Sequence, residues 1–206
     1  MDRLLRIVRP TASDHPVAAP GADDATLVAG LRAREHWAAT ALIERHGNHV
    51  RRLLIRVLGT HGEEHLDTFQ EVMAGAWQGI GQLHDARLLK PWLTRIAVFT
   101  ARSVLRSRRR RHWLSFFDEV PEVEAAWATP ELREAARAVY EIFDRIPIDE
   151  RIPFALRMVD DQDLDATADA CGTSVATVRR RLKKAQRRFS KLAREYDALR
   201  PWVGLP

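Results

Sequence analysis

The residues with the clearest chemical role are the arginines and lysines that crowd the last part of the chain. From Thr173 to Arg200 there are ten Lys or Arg and two acidic residues. Guanidinium and ammonium groups bind phosphate oxygens, and a helix that presents a row of them suits the major groove of DNA. A solvated, charged helix is the plain alternative, but such helices seldom carry so one-sided a charge. The cluster therefore predicts a nucleic-acid partner.

The residues before and within this cluster predict a helix-turn-helix between Leu164 and Phe189. Gly172 stands where the first helix has to end, because glycine adopts the left-handed conformation of a helix C-terminus without a steric penalty. Ser174 is placed to cap the second helix with its hydroxyl. One face of the second helix is apolar and is predicted to pack inward; it comprises Val175, Val178, Leu182, Ala185 and Phe189.

The opposite face of the second helix is the predicted DNA-reading surface. Its expected DNA contacts are Thr173, Ser174, Thr177, Arg179, Arg180, Lys183, Lys184 and Arg187. Near the N-terminal half of the helix, the residues assigned to base edges are Thr177, Arg180 and Lys183. The residues assigned to phosphates are Arg179, Arg181, Lys184 and Arg187.

The composition is that of a globular protein with an anionic partner. The chain has 206 residues, 46% of them hydrophobic and 30% charged, with a net charge of +5, which allows one or two domains. The single cysteine, Cys171, excludes an internal disulfide and suits a reducing compartment. No apolar run approaches membrane-crossing length, and the N-terminal residues lack the apolar core of a signal peptide. We therefore expect a cytoplasmic protein without membrane insertion.

Helical periodicity without any strand-like alternation predicts an all-α fold of two small helical domains. The expected boundaries are a flexible tail over 1–22, a first domain over 23–111, a linker over 112–128, a second domain over 129–200 and a tail over 201–206.

The first domain is predicted to be a four-helix bundle, with its later helices at about 66–80 and 92–110. The buried face of its second helix is predicted to include Trp37, Ala41, Leu42, Val50, Leu53, Leu54 and Val57. In the second domain, Thr129 and Pro130 open a helix as cap and first residue, and a further helix is expected from Glu150 to Val159.

Four short motifs follow one another along the chain. Asp67–Val72 reads DTFQEV, Trp92–Ala97 reads WLTRIA, the pair Ile146-Pro147 enters the second domain, and Gly172–Ala185 reads GTSVATVRRRLKKA. In this order they resemble the signatures of the extracytoplasmic-function (ECF) group of bacterial RNA polymerase sigma factors, in the sigma-70 family. The resemblance covers about residues 23–194. It implies a region 2-like first domain and a region 4-like helix-turn-helix domain.

The resemblance also implies partners and contacts. A transcription initiation factor of this kind binds core RNA polymerase and directs it to promoter DNA, and an anti-sigma factor is a further partner that the resemblance allows. The helix that grips the polymerase clamp in the family implies polymerase contacts at Asp67, Gln70, Glu71 and Trp77. The helical wheel of the fourth helix groups a stripe that suits the single-stranded minus-ten element: Trp92, Arg95, Phe99, Arg102 and Arg106. The recognition segment implies contacts with the minus-thirty-five element.

Two residues of the fourth helix depart from the family pattern. The family usually has Asn at the place of Phe99 and Asp at the place of Ser103. An asparagine can hydrogen-bond a base edge, whereas the Phe99 ring can only stack on a base, so looser minus-ten specificity is expected. The alternative is that Trp92 and Phe99 pack against a neighbouring helix.

Other functional classes find less support. A helix-turn-helix regulator that acts without polymerase and a degenerate sigma-like module that does not melt DNA both stay open. Two candidate metal patterns fail on spacing: Gly62 places His61 in a turn rather than on a zinc-binding helix, and the acidic run that ends at Asp165 lacks the glycine and glutamate of a calcium loop. We expect no catalytic residue, metal, cofactor or small-molecule substrate.

Overall fold

The computed structural model describes residues 23–58, 63–112, 129–158 and 162–201. The first four helices are α1 (Asp24–Arg32), α2 (His36–Leu58), α3 (Glu63–Gly79) and α4 (Leu89–His112). The next four are α5 (Pro130–Arg145), α6 (Ile148–Met158), α7 (Leu164–Cys171) and α8 (Val175–Ala193), and three short 3-10 turns follow α3, precede α4 and follow α8. The described residues contain no strand, which confirms the all-α fold. Both expected tails, apart from Pro201, and the expected linker after His112 lie outside the described residues.

The first four helices form one bundle around apolar stripes of α2, α3 and α4. Leu53 and Leu54 of α2 and Leu93 and Ala97 of α4 are fully buried at its centre. The predicted buried face of α2 is confirmed except at Trp37, whose side chain is 43% exposed. Its indole nitrogen donates to the Glu35 carboxylate, so the polar end of the ring finds a partner at the surface.

Helix starts differ from prediction by two or three residues because the predicted boundaries relied on proline and on apolar periodicity. Helix α4 begins at Leu89, so Pro91 lies within its first turn. A proline is tolerated there, since the amide it lacks would have no intrahelical partner. Helix α6 begins at Ile148 rather than Glu150, and two acidic residues occupy its first turn, where the helix dipole favours them.

Four aromatic rings form the core of the second helical group. The Phe143 ring meets the rings of Phe154 and Phe189 at 5.9 Å between centroids in edge-to-face contacts, and Tyr140 lies at 6.1 Å from Phe143. All three phenylalanines are fully buried. Edge-to-face pairs of this kind add to the stabilisation from buried area, so this cluster fixes α8 against α5 and α6.

The two helical groups pack against each other, which the sequence did not predict. Helix α6 lies against α2, and α7 lies against α4. Arg151 of α6 is 3% exposed and donates from Nε to the Val57 carbonyl of α2 at 2.9 Å. The contact area between the groups therefore includes a buried charge.

A buried histidine ties α2 to α4. His49 Nε2 lies 2.8 Å from Thr94 Oγ1, and the same hydroxyl donates to the Lys90 carbonyl at 3.0 Å. Because the Thr94 proton is used on Lys90, the Nε2 atom of His49 must carry the hydrogen of the first bond. Burial, followed by the positive charge of Lys90 and by His46, lowers the pKa of His49 to about 4 from its ordinary 6.5.

This shift predicts acid sensitivity of the fold. His49 binds a proton less readily in the folded state than in the unfolded state. The contribution of neutral His49 to the free energy of unfolding is therefore complete above pH 6.5 and is lost as the pH falls towards 4. At about 1.4 kcal/mol per pKa unit, the loss is about 3 kcal/mol. Urea unfolding at pH 7 and pH 4.5, for the wild type and His49→Gln, measures it. We expect a smaller pH dependence in the variant; an unchanged dependence would contradict the assignment to His49.

Candidate nucleic-acid interface

The turn between α7 and α8 has the geometry that the sequence predicts. Gly172 is left-handed, with φ 61°, and its amide donates to the Asp169 carbonyl at 3.1 Å. The Thr173 amide donates to the Ala168 carbonyl at 3.0 Å, so the helix end is a Schellman motif. Ser174 caps α8, since its hydroxyl accepts the Thr177 amide at 3.3 Å. These bonds set the angle at which α8 leaves the turn.

Helix α8 is held by its apolar face and by ion pairs to α6. Val178, Leu182, Ala185 and Phe189 are buried, as predicted, and Val175 is half-buried. Arg188 Nε donates to Oε2 of Glu150 at 2.9 Å, and Glu150 is itself 9% exposed. Arg188 is therefore occupied by α6 and is not part of the free basic face.

The outer face of α8 presents exposed cations. Arg179, Arg180, Lys183, Lys184 and Arg187 are all exposed, and none of them is in an ion pair within the described residues. Thr173 and Thr177 are half-buried and Ser174 is exposed, with the Ser174 and Thr177 hydroxyls 3.0 Å apart. Arg181, predicted as a phosphate contact, is 25% exposed and turns towards Asp149 of α6, with 3.9 Å between the nearest atoms.

The basic surface continues past the residues that the sequence singled out. An open groove of about 480 Å³ runs along the C-terminal half of α8, lined by Lys183, Gln186, Arg187, Ser190, Lys191 and Arg194. Lys191 and Arg194 repeat the spacing of Lys184 and Arg187, a signal that the sequence already contained. A groove of this charge suits a phosphate backbone rather than a base edge.

The stripe on α4 is only partly exposed. Phe99 is 72% exposed, and Arg95 and Arg106 are exposed beside it. Trp92 is half-buried, with its ring 3.5 Å from the space that a Cβ on Gly79 would occupy. The Arg102 side chain is 19% exposed and faces the second helical group, where Nη2 donates to the Cys171 carbonyl at 3.4 Å. The expectation of one exposed stripe is thus wrong at Arg102, which is enclosed, and only partly met at Trp92, whose side chain is half-buried.

The predicted polymerase-contacting face on α3 is exposed. Asp67, Gln70 and Glu71 point outward, while Phe69 between them and Val72 after them are buried. No ion pair involves Asp67 or Glu71 in the part of the chain that the structure describes. Leu66, which precedes them, is 51% exposed and gives the acidic face an apolar edge.

Trp77 lies apart from that face. Its ring is half-buried beneath the Arg34 guanidinium, 5.3 Å from the ring centroid, and its carbonyl accepts from Arg34 Nη1 at 2.5 Å. The contact joins the turn after α1 to α3, so Trp77 has a structural role in addition to any contact with polymerase.

Cys171 is buried at the end of α7. Burial raises the pKa of Cys171 to about 11, against the opposing effect of Arg102 and Arg181. A thiol with so high a pKa is a poor nucleophile at neutral pH.

Two family models match the chain in the order of its two helical groups. The model of sigma-70 region 2 matches residues 42–111, and the model of sigma-70 region 4 matches residues 136–189. Together they cover more than half of the 206 residues. The chain belongs to the sigma-70 family. Its first helical group is thus a region 2 domain and its second a region 4 domain, as the motifs predicted, and the protein is a transcription initiation factor.

Proteins similar in sequence to this one are also sigma factors by name. It is 34% identical over 126 residues to the probable RNA polymerase sigma factor RfaY of Xanthomonas campestris pv. campestris, covering 58% of this chain but only 32% of that protein. It is 28% identical over 169 residues to the ECF RNA polymerase sigma factor SigM of Mycobacterium tuberculosis, covering 82% of this chain and 84% of SigM. The similarity to SigM spans both domains.

A solved structure shares the fold. The sigma factor RpoE from Bartonella quintana, crystallised with the anti-sigma factor NepR, superposes with a TM-score of 0.57 at 21% identity over 71% of this chain and 91% of that one. Among the described helices of this sigma factor, none combines the length and apolarity that a membrane crossing requires.

The outer face of α8 predicts two different mutational effects. Arg180→Ala should cost about 1–3 kcal/mol on a specific duplex and relax preference at one or two base pairs, because Arg180 is assigned to a base edge. Lys184→Ala removes the same charge from the same helix and should weaken all duplexes alike, with a salt slope lower by about one. Binding titrations on specific and random duplexes at several salt concentrations separate them. Equal loss on both duplexes for Arg180→Ala would contradict its assignment.

Proposed function

We propose that this sigma factor binds core RNA polymerase through the acidic face of α3, reads the minus-thirty-five element with α8 and captures the opened minus-ten element with α4. The observation that carries the proposal is the row of exposed cations on α8, which form no ion pair with any described residue. The helix that bears them is capped by Ser174, buried on its other face and preceded by a helix and a tight turn. That arrangement leaves α8 free to enter a major groove.

The minus-thirty-five contacts divide along the helix. Thr177, Arg180 and Lys183 lie within the first turns of α8, which are the turns that approach base edges in helix-turn-helix complexes. Lys184 and Arg187, together with the groove that extends to Arg194, are assigned to the phosphate backbone.

The minus-ten contacts centre on Phe99. An aromatic ring that is 72% exposed and has arginines on both sides can stack on an unpaired base while guanidinium groups bind the flanking phosphates. Because every base has a π-face, stacking discriminates little between bases. We therefore assign to Phe99 the capture of an opened strand rather than its sequence-specific reading.

The polymerase contacts are proposed for Asp67, Gln70 and Glu71, with Leu66 at the edge of the face. Acidic groups around an exposed apolar side chain suit a basic partner surface, since charge complementarity steers association and the apolar contact excludes water. An anti-sigma protein is a further proposed partner, by similarity to the RpoE complex.

Run-off transcription with purified core polymerase tests the function as a whole. We expect transcripts from a cognate promoter template only when the chain is added to core enzyme. Duplex binding without any transcript would instead favour a helix-turn-helix regulator, and core binding without transcript would favour a module that does not melt DNA.

The docking face predicts a charge-reversal effect. The double variant Asp67→Lys/Glu71→Lys should abolish binding to core polymerase, because it presents cations to a basic partner, while binding of the minus-thirty-five duplex stays unchanged. Co-purification with core enzyme at physiological salt measures it. The control Glu131→Lys/Glu134→Lys makes the same charge change on exposed positions of α5. If the α3 variant still co-purifies as well as the control, the docking face lies elsewhere.

Replacement of Phe99 is expected to reduce promoter opening without reducing the stability of the fold. Phe99→Ala should leave the free energy of unfolding nearly unchanged, whereas Phe189→Ala in the aromatic core should cost about 3–5 kcal/mol. On promoter DNA, Phe99→Ala should lower the permanganate reactivity of thymines in the minus-ten element, because one stacked base is worth about 1–3 kcal/mol. Phe99→Asn should restore opening only on templates whose base it can hydrogen-bond. Unchanged permanganate reactivity with Phe99→Ala would contradict the proposed stacking of a base on Phe99.

A further inference from the structure

Two exposed cations, Arg52 of α2 and Lys90 of α4, lie outside the proposed DNA and polymerase contacts. Neither forms an ion pair with any residue that the structure describes. The region 4 domain contacts α2 at Val57 and α4 at Arg102, nearer the C-terminal ends of these helices, so that both cations stay uncovered. They belong to none of the four sequence motifs, and neither the helix-turn-helix nor the acidic face of α3 accounts for them.

The contact between α2 and α4 brings the two cations to one place. His49 Nε2 lies 2.8 Å from Thr94 Oγ1, which fixes how the two helices align. Arg52 follows His49 by three residues and Lys90 precedes Thr94 by four, so each cation lies one turn from this contact and on the same side of its helix. Burial lowers the pKa of His49, and the positive charges of Lys90 and Arg52 lower it further, so both charges reach the same imidazole. We call this place, with Arg52 on one side and Lys90 on the other, the α2–α4 seam.

The positive charge at the seam is not balanced by a nearby carboxylate. Asp24 lies at this end of α2, but it already faces both Arg45 and His46, with 3.6 and 3.4 Å between the nearest atoms. Helix α4 contains no acidic residue along its 24 positions. A solvated helix face is the plain alternative, but such faces usually mix the two signs of charge. The seam therefore suits an anionic ligand.

The seam can be reached from the ring on which a base is proposed to stack. Lys90 and Phe99 are nine residues apart on α4, which puts them about 14 Å apart along the helix axis and on opposite sides of it. With a helix about 11 Å across, the distance between the two sites is about 18 Å. That is about five nucleotides at 3.4 Å per nucleotide of a stacked strand. The exposed residues Pro91 and Arg95 lie along the way, so the path stays at the surface.

We propose that Arg52 and Lys90 bind backbone phosphates of an unpaired strand about five nucleotides from the base that stacks on Phe99. The proposal rests on the proposed function, since it extends the strand that Phe99 captures. Single-strand sites combine aromatic stacking positions with a basic track that follows the backbone. In this protein the stacking position is on α4, and the basic track crosses the N-terminal turn of α4 to α2. Contacts with phosphates position the strand and read no sequence.

Promoter templates with a pre-opened bubble of two sizes test the assignment. A bubble of about four unpaired nucleotides offers a base to Phe99, whereas one of about sixteen also reaches the seam in either direction along the strand. The variant Arg52→Ala/Lys90→Ala removes both cations, and binding is measured with the chain assembled on core polymerase. Because polymerase itself contacts both bubbles equally in every variant, the comparison between variants isolates the seam.

We expect the variant to lose affinity only for the large bubble. Near 0.1 M salt the loss should be roughly tenfold or more, and the salt slope should fall by about 1.4, since each phosphate contact on a single strand contributes about 0.7. Affinity for the small bubble and for a fully paired duplex should equal that of the wild type. Replacement of single phosphates by uncharged methylphosphonates should weaken wild-type binding about five nucleotides from the stacked base, and should have no effect there in the variant.

Two further variants separate phosphate binding from a general effect of charge or folding. Arg133→Ala/Arg137→Ala removes the same charge from exposed positions of α5 and should leave binding to both bubbles unchanged. Arg52→Lys/Lys90→Arg keeps the charge at the seam and should keep the salt slope. Circular dichroism and urea unfolding should match the wild type in every variant, because the replaced side chains are exposed.

Equal losses on the two bubbles, an unchanged salt slope or a loss shared by the α5 control would overturn the proposal. An equal loss on the fully paired duplex would show that the cations contact duplex DNA and would reject the unpaired strand. A wild type that directs no transcription with core polymerase, but whose seam variant loses affinity only for the large bubble, would refute the proposed function and keep the phosphate site. Absence of binding to either bubble by the wild type would refute both.

Discussion

Arg151 carries a charge that the described structure keeps almost entirely out of water, and the relation between the two domains depends on its partners. Burial lowers the pKa of Arg151, and the Asp144 carboxylate opposes that effect. A buried guanidinium is tolerated only when acceptors surround it. One of its acceptors, the Val57 carbonyl, belongs to the other domain, at a helix end that has unpaired carbonyls to offer. The satisfaction of this buried guanidinium therefore depends in part on the other domain.

The contact between the domains combines apolar packing with charged groups. When two hydrophobic faces separate, their apolar surface becomes exposed to water, at a free-energy cost proportional to its area. When Arg151, Arg102 and Asp149 separate, water replaces each hydrogen bond, and the desolvation of the charges is recovered. Buried apolar residues of both domains, among them Leu93 and Phe189, belong to one continuous hydrophobic cluster. Separating the domains would therefore expose apolar surface as well as charged groups.

The features that were predicted correctly from the sequence are those that local rules determine. The left-handed Gly172, the Ser174 cap and the inward face of α8 follow from neighbours within about one helical turn, and these rules are nearly independent of the rest of the fold. The exposed face of α3 follows from the same periodicity. Contacts of Arg151 with Val57 and of Arg102 with Cys171 join residues 94 and 69 positions apart, and no local pattern encodes them. For that reason the two domains were predicted separately and their contact was missed.

Phe99 and Arg102 show why helical periodicity alone could not define the minus-ten surface. They are three residues apart on α4, a spacing that puts them on the same face. Helix α4 is 24 residues long, and the region 4 domain covers part of that face through α7, so one residue is 72% exposed and the other is enclosed. The Phe99 ring is available with the domains packed, whereas the Arg102 side chain is enclosed by the region 4 domain. A strand that approaches the packed protein would find a stacking surface at Phe99 with an incomplete set of phosphate contacts.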